Sequence, residues 1–67
     1  MGWVVVYIAP NRPVARMMRD LLRREGFLVT MRPAGGSKGE ETGSIELLVP
    51  SSEARDASEL LTRSLAQ

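Results

Sequence analysis

Six successive β-branched and aromatic residues, Trp3-Val4-Val5-Val6-Tyr7-Ile8, constrain this chain more than any other stretch. With no polar break they read as a strand that is apolar on both faces. A short chain must then cover both. The rest of the sequence supplies cover for one.

The chain has 67 residues, which predicts one small domain over 1–67, near the lower size limit for folding on an apolar core alone. Self-association would add burial. There is no cysteine, which removes disulfides and thiolate chemistry and fits a reducing, cytoplasmic setting. There is no histidine either, so the commonest general base and the commonest metal ligand are both missing. No cofactor or metal site is expected. The longest apolar run, Trp3 to Ala9, is too short for a membrane span or a signal-peptide core. Net charge is +1, but residues 1–32 carry +4 and residues 33–67 carry −3. Such asymmetry marks a polar interaction surface or an attraction between neighbouring chains.

Pro10-Asn11 signals a turn, with Asn11 as N-cap and Pro13 inside the first turn of a helix reaching about Glu25. Val14, Met17, Met18, Leu21 and Leu22 form its apolar arc, and Gly26 is placed as the residue just past its end. A second strand is expected over Phe27 to Arg32, ended by Pro33. Residues 34–43 hold four glycines and no large apolar side chain, and are expected to form a flexible connection. Ser44 to Val49 alternates, with Ile45, Leu47 and Val49 on one side and Ser44, Glu46 and Leu48 on the other. After Pro50, Ser51 or Ser52 is expected to cap a helix with an apolar stripe of Ala54, Ala57, Leu60, Leu61 and Leu65.

The order is βαββα. It predicts an α+β, two-layer sandwich with both helices on one face of a three-stranded sheet of order 1-3-2, a ferredoxin-like arrangement lacking its fourth strand. The first strand is then an apolar edge with unpaired backbone groups, which invites pairing. With Val4, Val6 and Ile8 toward the core, Trp3, Val5 and Tyr7 point outward with Leu48. The opposite assignment also leaves three apolar residues of this strand outside. That outer patch is the expected interface of a homo-oligomer, a dimer first.

The opening Trp-Val-Val-Val-Tyr-Ile-Ala-Pro-Asn-Arg, the helix end Leu-Leu-Arg-Arg-Glu-Gly-Phe-Leu-Val and the later Glu-Leu-Leu-Val-Pro together resemble the small bacterial domains grouped as prokaryotic signal-transducing proteins. The resemblance spans nearly the whole chain. These domains are similar in fold to the PII-type nitrogen regulators, whose loop between strands two and three touches partners. The resemblance implies a signalling role and places the corresponding contact in residues 34–43; it brings no catalytic residue.

Other candidate sites each compete with a plainer reading. Gly35-Gly36-Ser37-Lys38-Gly39 resembles a phosphate cradle, but the spacing is not that of a P-loop and no helix follows, so a mobile hairpin connection is favoured. Arg12, Arg16, Arg19 and Arg23 fall on one narrow stripe opposite the apolar arc, suited to nucleic acid or an acidic partner, although a solvated helix face explains them too. Trp3 and Tyr7 suggest base stacking, yet Glu46 and Leu48 on the third strand favour packing against a second subunit. Glu40 and Glu41 sit in the glycine-rich connection without a rigid scaffold, which argues against an enzyme. The function expected from the sequence is a small regulatory or protein-interaction module binding a protein or small effector, with nucleic-acid binding through the arginine stripe as the alternative.

Overall fold

The computed structural model describes residues 2–35 and 43–66. The chain runs through strand β1 (Trp3–Ala9), helix α1 (Arg12–Arg24), strand β2 (Thr30–Pro33), strand β3 (Ile45–Pro50), a single 3-10 turn (Ser51–Glu53) and helix α2 (Ala54–Leu65). The fold is α+β, with one three-stranded antiparallel sheet of order β1-β3-β2, as the sequence predicts.

Local chemistry sets the ends of α1. Asn11 is extended and its side-chain oxygen accepts from the Val14 N–H at 2.9 Å, satisfying one of the donors that a helix start leaves free. At the other end the Gly26 N–H donates to the Arg23 carbonyl and the Phe27 N–H donates to the Leu22 carbonyl, both at 3.0 Å. This crossed pair is a Schellman cap, which needs its glycine in the left-handed region, and Gly26 has φ +92°. The apolar contact that accompanies such caps is present, because Phe27 packs against the cluster that contains Leu22.

Three sequence expectations change at β2 and α2. The stretch Phe27 to Val29 is not strand, and Pro33 belongs to the strand instead of ending it. Extending the β2–β3 register backward would set Leu28 opposite Pro50, which has no N–H to donate. The Leu28 N–H turns instead to the Glu53 carboxylate, at 3.0 Å. Pro33 is tolerated because β2 is an edge strand, where one side of the backbone needs no ladder partner. Neither Ser51 nor Ser52 caps α2 through its side chain; a 3-10 turn leads directly into the helix.

The core is wholly apolar among the described residues. Ala15, Met18 and Leu22 from α1, Ala57 and Leu61 from α2, and Ile45, Leu47 and Val49 from β3 join Ala9 and Val29 in one buried cluster. Alternation along β3 accounts for its share, since residues two apart line the same face. Met17, expected in the α1 arc, is 58% exposed, and Ala15 takes a buried place instead.

Two substitutions test the caps. Asn11→Ala should lower stability by about 1 kcal/mol through the lost N-cap. Gly26→Ala should cost about 1–2 kcal/mol, the penalty of a left-handed backbone for a residue with a Cβ. A Cβ at Gly26 would meet nothing within 4 Å, so the cost is conformational and Gly26→Asn should recover part of it. Thermal unfolding should resolve both changes, as 1 kcal/mol moves the midpoint of a domain this size by about 4–8 °C.

Candidate functional site

The face of the sheet away from the buried cluster is the most distinctive surface of the molecule. Its composition follows from a β-bulge. Val5 pairs with Leu48 but Tyr7 pairs with Leu47, so Val6 and Tyr7 together oppose one residue of β3. The two residues of such a bulge send their side chains to roughly the same side, and both Val6 and Tyr7 pack against the core. Beyond the bulge the alternation is reversed relative to a regular strand.

This corrects the expected outer set of Trp3, Val5, Tyr7 and Leu48. Trp3, Val5 and Leu48 are on the outer face, Tyr7 is on the core side, and Ile8 takes the outward place. Neither regular alternation of β1 describes the strand, because the bulge lets each apply to one part of it. Across the sheet the outer face forms rows. Trp3 is opposite Pro50; Val5, Leu48 and Thr30 lie side by side; Ile8, Glu46 and Arg32 form the third row. Leu28, exposed and next to buried Val29, lies just before β2 and outside the paired rows.

Exposure along these rows is uneven. Ile8 is 54% exposed and Trp3 49%, whereas Leu48, at the centre and flanked by β1 and β2, is only 3% exposed. The exposed apolar side chains of the rows therefore lie on β1, beside a buried centre. The two charges on the rows neutralise each other, as the Arg32 guanidinium donates to the Glu46 carboxylate in an ion pair. Beyond them an open concavity is lined by Arg32, Pro33, Gly35 and Glu46. Of the glycine-rich candidates, Gly35 is exposed at this rim; Gly36, Ser37, Lys38, Gly39, Glu40 and Glu41 lie outside the described residues.

The arginine stripe is the second site. At 100° per residue, Arg12, Arg16, Arg19 and Arg23 fall within about 60° of one another, and their mean direction is about 100° from that of buried Ala15, Met18 and Leu22. The stripe thus runs along the flank of α1 instead of opposing its buried face. Arg19 shows the consequence: its side chain is 25% exposed and is held by Asp20 at 3.1 Å. Arg12, Arg16 and Arg23 are exposed and have no ion pair with any described residue. No Asp or Glu stands in the first turn of the helix.

The alternation of Val29 inward and Leu28 outward was present in the sequence and points to Leu28 as an outer-face residue. Ile8 required the bulge, for which Val-Val-Val-Tyr carries no local mark. Among the described residues, no three Asp or Glu side chains gather as a potential metal site, and no helix is long and apolar enough to cross a membrane. No protein-family model, curated protein or solved structure matches this chain.

Proposed function

We propose that the chain is a small regulatory or protein-interaction module that works as a homodimer, formed by packing the outer sheet faces of two copies. The observation that carries this reading is the row of exposed Trp3, Val5 and Ile8 on β1 beside buried Leu48, an apolar strip along one side of the outer face, with polar Thr30 and Arg32 on the β2 side. In the two-layer, ferredoxin-like arrangement we propose, both helices pack on the Ile45, Leu47 and Val49 side, and among the described residues nothing covers the opposite face. A large exposed apolar patch ordinarily marks an interaction surface.

Charge favours a second copy as the occupant. A two-fold interface sets the same patch against itself, so any net charge on it would be repelled by its own image. The Arg32–Glu46 pair leaves this face without that repulsion. Size points the same way, because a chain of 67 residues buries a modest fraction of its surface alone and gains stability from a partner's core.

Binding fits the described chain better than catalysis. No polar or charged side chain is buried among the described residues. Enzymes tune the acid–base behaviour of catalytic groups by burial of that kind. The resemblance to bacterial signal-transducing domains supports a cytoplasmic regulatory role, with the strand-two to strand-three segment 34–43 as contact for a protein or small effector.

Sedimentation of the parent chain at several concentrations tests the proposal against the double variant Trp3→Ser, Ile8→Ser. The parent should sediment as a dimer, and the variant as a monomer with unchanged circular dichroism. A parent that stays monomeric across the series overturns dimerisation. Tyr7→Ser provides the contrast: it acts on the core side, so it should lower stability by about 1–3 kcal/mol in the monomer and dimer alike.

A further inference from the structure

We infer that the arginine ridge of α1 is a phosphate-tracking surface for the backbone of nucleic acid. This inference stands apart from dimerisation, since it rests on a different element. The ridge is costly to the free helix: Arg12 with Arg16, Arg16 with Arg19, and Arg19 with Arg23 are like-charge neighbours at three- or four-residue spacing, which disfavours a helix. Asp20, in contact with Arg19 and three to four residues from Arg16 and Arg23, is the one acid among them and offsets only part of this. A face serving only for solvation would reach the same hydration with mixed signs.

The chemistry of the ridge selects the class of partner. Among the nine basic residues of the chain, eight are arginine and one is lysine, and the ridge is arginine throughout. Guanidinium groups present a planar fork suited to phosphate oxygens. Successive positions on the ridge are about 5–6 Å apart at Cβ, a regular row of cations for a regular row of anions. Ala15 and Leu22 beside the ridge are fully buried, and exposed Met17 lies about 130° around the helix from it, so the ridge itself offers no anchor of the kind that forms the centre of a protein–protein interface. Interfaces with nucleic acid are instead polar and strongly positive. Contacts of this type position a phosphate backbone without reading its sequence.

Fluorescence anisotropy with a labelled mixed-sequence DNA duplex, from 25 to 200 mM salt, tests the inference in the full chain. With three or four arginines engaged, the slope of log K against log salt should be about −3. Two variants lose the same charge from different helices: Arg16→Gln, Arg23→Gln on the ridge and Arg55→Gln, Arg63→Gln on α2. The ridge variant should bind roughly tenfold or more weakly at 100 mM salt and show a slope reduced by about 2, while the α2 variant keeps the parent slope. Absence of parent binding at the lowest salt overturns the inference. So does equal weakening by both variants, which would reduce the effect to net charge. A glutamate-rich peptide displacing the duplex at equal anion concentration would also overturn it, in favour of an acidic protein partner.

Discussion

The fold depends on β3 occupying the centre of the sheet. A central strand must bond to neighbours on both edges and bury side chains on both faces, and Ile45-Glu46-Leu47-Leu48-Val49 meets both demands. Its odd-numbered residues anchor the core that α1 and α2 share. Its one apolar residue of opposite parity, Leu48, is buried between the outer rows of β1 and β2. Removing water from Leu48 requires the flanking strands, and those strands in turn expose Trp3, Val5 and Ile8. The apolar strip on β1 thus accompanies a central strand that is apolar on both faces.

The bulge in β1 reconciles that strand with β3. A seven-residue strand of continuous apolar character has no preferred face, so register is weakly specified by hydrophobic pattern alone. Pairing with β3 resolves it locally: Val4 faces the same side as Val49 and Tyr7 the same side as Leu47, with Val6 as the inserted residue. Val6 and Tyr7 at the bulge both go inward, and Val5 and Ile8 on either side of it face outward. Bulges also twist an edge strand away from flat edge-to-edge pairing. For β1 this works against the addition of a flat, seven-residue ladder at the edge.

How far the sequence revealed these features depended on whether the signal was local. Asn11, Pro13 and Gly26 carry their structural roles in their own covalent chemistry, and α1 begins and ends where they direct. The strand order followed from element order and handedness. By contrast, the short β2 is set by what stands across from it, since Pro50 withholds a donor and Glu53 supplies an acceptor 25 residues away in sequence. The identity of the outward residues on β1 is a property of the pair β1–β3 and not of β1. The arginine stripe was visible as a spacing, but its direction depended on whether Met17 or Ala15 entered the core, and that choice belongs to tertiary packing.

The two surfaces divide the chemistry of the chain between separate elements. The outer sheet face carries the apolar strip of β1 and its Arg32 and Glu46 are paired, whereas the α1 ridge accumulates one sign. Each surface is poorly suited to the other's role: the ridge would repel its own image across a two-fold axis, and the sheet face has no unpaired cation among the described residues to hold a phosphate. Face-to-face pairing of two sheets would leave the helices on the outside of the dimer, with one ridge on each copy. Two ridges on one particle would then engage a polyanion through two linked contacts, so the second contact would form at the high effective concentration set by the first. Dimerisation through an uncharged face would in this way raise the avidity of a ridge that is weak on its own, without adding a single contact to it.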